Sequence, residues 1–211
     1  TGTFSNSGDD CRNYGLLFGI EECRRLFGEI LDIDYNNVIA CGNSSLVLMY
    51  DYISQCMTHG AGGYAPWGKQ EGAKFIAVVP GYDRHFAIAE HFGLEMIDVE
   101  MTRNGPDMDK VEELIKDPLV KGMFCVPKYS NPDGVTYSDE TVERLAKMTP
   151  AAPDFRVIWD NAYIVHDFYD EHAKLKNIMK TAAKYGHEDY FIEFASTSKI
   201  TFPGSGVAAI A

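Results

Sequence analysis

Seven short apolar runs limit what this chain can fold into. They are Asn37–Cys41, Lys74–Val79, Leu94–Val99, Gly122–Val126, Phe155–Asp160, Phe191–Ala195 and Gly206–Ile210. Each is rich in Val, Ile, Phe or Ala, and most are continuous rather than alternating. Strands covered on both faces read this way. Amphipathic stretches lie between them and predict helices near Ile20–Ile30, Ser45–Thr58, His85–Phe92, Met108–Ile115, Asp139–Lys147 and Ala173–Tyr185. Asp107 and Ser138 stand where helix N-caps are expected. Strands alternating with helices predict an α/β fold, a three-layer α/β/α sandwich around a mostly parallel seven-stranded sheet. About ten residues with Pro203, Gly204 and Gly206 join the last two runs. That is short for a helical crossover, so this pair is expected to be antiparallel.

With 211 residues, 45% of them hydrophobic, the chain can bury a sizeable core and is not disordered. The net charge of −12 argues against a broad basic surface for nucleic acid. The apolar runs are too short to span a membrane. Five cysteines, an odd number with no CxxC, fit free thiols in a reducing, cytoplasmic setting. The sequence begins at Thr1 without Met and ends at Ala211 inside an apolar run, so a fragment of a longer chain is expected. Residues 1–35 read as a lead-in segment and 36–211 as a large domain. Tyr64 and Trp67, in the Gly-rich loop after the second helix, suit either local packing or an interface.

Ligands of such sheets bind beyond the carboxyl ends of the strands, and polar residues gather there. The first run leads into Gly42-Asn43-Ser44-Ser45, which suits either a phosphate cradle at a helix start or plain N-capping. Tyr82 follows the second run, as a stacker for a flat ring or a half-buried turn residue. Asn131 lies in Asn-Pro-Asp-Gly, a turn by composition. Asp160 ends the fifth run, three residues before Tyr163, as half of an acid–phenol pair or as a cap. Ser196-Thr-Ser-Lys199 follows the sixth run. Lysine at a buried strand end is costly unless solvated, paired or used chemically, and desolvation favours its neutral, nucleophilic amine. Taken jointly, the set describes a pocket for pyridoxal 5′-phosphate (PLP): a lysine for the aldehyde, an acid for the pyridine nitrogen, and donors to the ring oxygen.

These residues, in this order, resemble the class I/II aminotransferases, the fold-type I PLP enzymes, and most closely bacterial aspartate aminotransferase-like members. The resemblance implies the PLP-dependent transferase large domain. It implies that Lys199 forms a Schiff base with the cofactor and moves the substrate α-proton, and that Asp160 pairs with the pyridine nitrogen. Tyr163 and Asn131 match donors to the ring 3′-oxygen, and Tyr82 the stacked aromatic. Gly42, Asn43, Ser44 and Ser196 match phosphate-binding positions. Tyr14, in Tyr-Gly-x-x-x-Gly, matches a tyrosine that reaches the partner subunit's cofactor. The activity implied is transfer of an amino group from an amino acid, aspartate or similar, to a 2-oxo acid such as 2-oxoglutarate, in a homodimer. The alternatives are a PLP-dependent lyase, a PLP-binding regulatory module and an inactive structural module.

The sequence departs from the family pattern in two respects. The family's phosphate-clamping Arg, some eight residues after the lysine, has no counterpart in Lys199-Ile-Thr-Phe-Pro-Gly-Ser-Gly-Val. The resemblance also places the substrate-carboxylate Arg in a C-terminal domain outside these residues and implies that the dimer-forming N-terminal arm is absent or cut short. The isolated 211 residues are therefore expected to be inactive. His166-Asp-Phe-Tyr-Asp-Glu-His172 matches no ordinary zinc spacing and reads as a solvated loop, with no metal expected.

Overall fold

The computed structural model describes residues 2–167 and 169–211. Phe168, within the His166–His172 loop, lies outside the described residues. In chain order the helices and strands are α1 (Glu21–Leu31), β1 (Ile39–Ala40), α2 (Ser45–His59), β2 (Lys74–Val79), α3 (Asp83–His91), β3 (Glu95–Thr102), β4 (Gly105–Pro106), α4 (Met108–Leu114), β5 (Val120–Cys125), α5 (Asp139–Lys147), β6 (Arg156–Asp160), α6 (Ile178–Ala182), β7 (Phe191–Ser196) and β8 (Ala208–Ile210).

One sheet of eight strands runs β1-β8-β7-β6-β5-β2-β3-β4. β3, β2, β5, β6 and β7 are parallel neighbours. β8 is antiparallel to both β7 and β1, so the expected antiparallel ending is present. The strand missing from the sequence reading is β4. Thr102 Oγ1 donates to the Gly105 carbonyl at 2.7 Å, and the chain doubles back so that Met101 pairs with Pro106. A proline is tolerated there because β4 is an edge.

The helices cover both faces. Leu48, Met49 and Ile53 of α2 and Ile88 of α3 pack on Phe75, Phe124, Ile158 and Phe194. On the other face Val111 of α4, Val142 and Leu145 of α5 and Ile178 of α6 pack on Ile76, Met123, Val157 and Trp159. β5, buried along its whole length, is the middle of the sandwich. Gly122 allows this closeness, since a Cβ there would lie 2.3 Å from the Arg156 carbonyl oxygen and 2.6 Å from the Phe75 ring. Phe27 and Leu31 of α1 close the β1–β8 end against Val38 and Ala209. Trp67 is fully buried and packs beside Phe75, whereas Tyr64 is half exposed.

The last helix is a correction. A helix over Ala173–Tyr185 was expected, but α6 spans Ile178–Ala182. Asn177 takes the N-cap, its Oδ1 accepting from the Lys180 amide at 2.8 Å, and its own amide donates to the Leu31 and Asp32 carbonyls. These bonds start the helix at Ile178, five residues later than expected.

Candidate active site

Strand order reverses beside β2. The chain goes from β2 outward to β3, then returns to place β5 on the opposite side of β2. The loops after β2 and β5 therefore diverge and leave a crevice at the carboxyl ends. A cleft of about 460 Å³ lies there, within the range of cofactor sites. Asn43, Ser44, Tyr82, Asn131, Asp160, Tyr163, Ser196 and Lys199 all line it.

The turn into α2 supplies one wall. Gly42 takes φ +63°, which favours glycine, and does not itself line the cleft. Ser44 occupies the N-cap position of α2, yet its hydroxyl makes no capping bond. Plain N-capping therefore does not explain Ser44. Ser198 Oγ donates to the Asn43 carbonyl at 3.1 Å, tying this turn to the loop after β7. Ser44, Ser45, Ser196 and Ser198 give the cleft four hydroxyls, and among its described lining residues there is no arginine.

The floor is Asp160, 5% exposed at the end of β6. The Nε2–H of His85 donates to Asp160 Oδ2 at 3.0 Å. Asp160 Oδ1 is buried with no hydrogen-bond partner among the described residues. His85 projects from the first turn of α3, is 2% exposed, and stacks on Phe124 at 4.7 Å with an interplanar angle of 13°. Tyr82, at the N-cap of α3, meets the His85 ring edge-on at 5.1 Å. Helix α3 thus positions both residues, and sequence reasoning missed His85.

Tyr163 lies on the turn after β6, and Lys199 Nζ is 5.8 Å from its ring centroid. The desolvation argument for Lys199 does not survive. The residue lies three beyond the end of β7, in a turn, and is exposed. The segment after Tyr163 is largely the solvated loop expected, with Asp167 and residues 169–172 exposed, but its start is tied down. His166 donates from Nε2 to the Lys199 carbonyl at 3.0 Å and packs edge-on against Tyr163 at 5.6 Å. Lys128, 6% exposed, donates to the Ile164 carbonyl and to Asp167 Oδ1, both at 2.9 Å, and holds the Asp167 carboxyl below its ordinary range. Among the described residues no group of three or more His, Cys, Asp or Glu is placed to hold a metal ion.

Tyr14 is separate from all this. It is fully exposed, beside the exposed Leu16, Leu17 and Phe18, and takes no part in lining the cleft.

The residues present fit PLP. A buried carboxylate oxygen without a donor suits a protonated pyridine nitrogen. An N-cap hydroxyl free of its helix, beside the α2 N-terminus, suits a phosphate. Tyr82 offers a ring from the next strand end.

A three-layer α/β/α sheet with an acid, a phenol and a lysine gathered at its switch point is the architecture of the PLP-dependent transferase large domains. The chain belongs to the aspartate amino-transferase family, whose model matches residues 2–211. It is 48% identical over 202 residues to an aspartate aminotransferase from Corynebacterium glutamicum, covering 95% of this chain and 47% of that protein. The crystal structure of an aspartate transaminase from Corynebacterium glutamicum superposes with a TM-score of 0.94 at 47% identity, over 98% of this chain and 49% of the other. An α-aminoadipate aminotransferase from Thermus thermophilus, complexed with N-(5′-phosphopyridoxyl)-L-leucine, shares the fold at a TM-score of 0.73 and 21% identity, over 95% and 47% of the two chains. The chain thus spans about half the length of the curated relatives it matches.

Proposed function

We propose that this chain forms the cofactor-binding part of a PLP-dependent aminotransferase that moves an amino group from aspartate, or a similar amino acid, to a 2-oxo acid such as 2-oxoglutarate. The observation that carries this is the orphaned Asp160 Oδ1 in the same cleft as Tyr163 and Lys199. Bound PLP supplies the electron sink for the bonds at the substrate α-carbon. The chain's own residues do the rest. Lys199 Nζ would hold the cofactor aldehyde and would carry the substrate α-proton. Asp160, oriented by His85, keeps the pyridine nitrogen protonated. Tyr163 and Asn131 would donate to the ring oxygen, and Tyr82 would pack on the ring. Ser44, Ser196 and the amides at the α2 N-terminus hold the phosphate in the absence of an arginine, with Ser45 and Ser198 beside them.

The aspartate assignment is supported by the name of the 48%-identical relative. The dimer is supported by the exposed Tyr14–Phe18 run, which offers an apolar surface to a second copy. A cytoplasmic location is supported by five free cysteines. Among the described residues no helix is long and apolar enough to cross a membrane.

The test is an absorbance scan of the full-length protein after PLP addition. A visible band present in the wild type and missing in Lys199→Ala is expected. A donor panel with 2-oxoglutarate then identifies the amino acid. A band unchanged in Lys199→Ala, or no keto-acid product from any donor, would overturn the assignment.

A further inference from the structure

Below the turn that carries Tyr163, on the face of the sheet away from the cleft, a buried carboxyl meets a buried amide. Glu193 of β7 and Asn161, the first residue after β6, are each 3% exposed. Asn161 Nδ2 donates to Glu193 Oε2 at 2.8 Å. The other amide atom, Asn161 Oδ1, is buried and has no donor among the described residues. A cavity of about 100 Å³ lies beside the pair, with Asp32, Trp159, Lys176 and Asn177 among its other walls.

The charges around Glu193 are committed elsewhere. From the 175–178 segment, Lys176 Nζ pairs with Glu143 at 2.6 Å. From the end of α1, Asp32 pairs with Lys180 of α6 at 2.5 Å. Trp159 of β6 and Asn161 just after it bring no charge. Among the described residues, Glu193 makes no ion pair. A carboxylate buried against one neutral amide keeps most of its desolvation cost, so the protonated form is favoured. That form is also a donor, and a donor is what Asn161 Oδ1 lacks.

We propose that Glu193 is a protonated carboxyl that pairs with Asn161 as acid to amide, and so acts as a positioning residue for the turn that presents Tyr163 to the cofactor. This rests on the PLP reading of the cleft. The turn is built on Asn161: its amide donates to the Phe194 carbonyl at 2.8 Å, and its carbonyl accepts from Ile164 N at 3.2 Å. Locking the Asn161 side chain therefore fixes the point from which Tyr163 departs. Loss of the Glu193 proton removes the donor to Oδ1 and leaves an unpaired charge beneath the turn. Burial pushes this carboxyl up to about 8, and the Asp32 carboxylate adds to the shift, so the change falls near neutrality and above.

The experiment uses the full-length protein labelled with [13C]glutamate, the Glu193 carboxyl resonance being assigned by its loss in Glu193→Gln. That resonance is expected to titrate near 8. PLP is then the probe. Its bound absorbance in the wild type is expected to show an inflection coinciding with the carboxyl titration. Glu193→Gln, which keeps one acceptor and one donor, retains PLP and lacks that inflection. Glu193→Ala retains PLP about tenfold less well, the scale of removing a partner behind a binding group. Titration of Glu193 in the ordinary carboxylate range, an inflection that persists in Glu193→Gln, or undiminished PLP retention in Glu193→Ala would each overturn the proposal. If the wild type gives no PLP band, the cofactor reading falls, and the carboxyl titration still decides the acid–amide pair.

Discussion

His85 Nε2 lies 3.0 Å from Asp160 Oδ2, joining the start of α3 to the end of β6 beneath the cleft. The bond fixes the carboxylate so that its other oxygen is free. Asp160→Asn keeps the shape and loses the charge. It is expected to leave the fold intact and to lower turnover on the order of 10²–10³-fold, the scale of removing one preorganised electrostatic partner. His85→Ala removes a buried ring and leaves both carboxylate oxygens without donors. It should cost about 2–4 kcal/mol in urea unfolding and weaken PLP retention. An Asp160→Asn enzyme with unchanged turnover would remove Asp160 from the mechanism.

Ser44 and Ser138 occupy the same N-cap position on two helices and do different work. Ser138 Oγ accepts from the Thr141 amide at 3.2 Å, whereas Ser44 makes no side-chain capping bond. Ser138→Ala should therefore cost about 1 kcal/mol of stability and leave PLP binding alone. Ser44→Ala should be nearly neutral for stability and weaken PLP binding. Denaturant unfolding and PLP titration of both variants check this. A stability loss in Ser44→Ala equal to that in Ser138→Ala would show that the hydroxyl serves the helix.

The main strands and the site residues at their ends were legible because buried parallel strands announce themselves as continuous apolar runs. What stayed hidden depends on partners distant in sequence. β4 is two residues long and contains Pro106, so nothing local separates it from a turn. His85 shares a helical face with Ile88 and Ala89, all buried. A histidine on that stripe was the available signal, but its Asp160 partner lies 75 residues away. The Ala173–Tyr185 expectation failed because Asn177 reaches back to α1 and caps a shorter helix, a choice set by tertiary contacts. Lys199 was expected at a dry strand end although the apolar run Phe191–Ala195 stops four residues before it. β7 stops at Ser196, and the turn beyond exposes the lysine.

Glu193 also makes stability depend on pH. Its folded value, about 8, stands above the ordinary 4.5. Between those values the unfolded chain has released a proton that the folded chain keeps, so stability falls as pH rises. The slope approaches about 1.4 kcal/mol per pH unit for a single group. Glu193→Gln removes it. Thermal midpoints of the two proteins should lie closest in mild acid and separate toward alkaline pH, with the variant the more stable. A constant difference across that window would mean that Glu193 ionises alike in both states.

Lys128 makes the same turn sensitive to acid from the other side. Its Nζ bridges the loop after β5 to the Ile164 carbonyl and Asp167 after β6. Lys128→Met keeps the apolar stem and removes both bonds. The lost charged hydrogen bond to the Ile164 carbonyl alone should cost about 1.5–3 kcal/mol. The Asp167 contribution has a definite sign. Its folded value is held below the ordinary 3.8, first by the Lys128 hydrogen bond. The stabilisation it provides is present above that ordinary value and is lost as pH falls through the lowered folded value. Wild type and Lys128→Met should therefore differ most in thermal midpoint at neutral pH, and the gap should narrow in acid to what the Ile164 bond alone supplies. The variant should also bind PLP more weakly, since Tyr163 sits between Asn161 and Ile164 on the loosened turn. Equal midpoints at neutral pH would show that the bridge does not hold the turn, and a gap unchanged into acid would remove Asp167 from it.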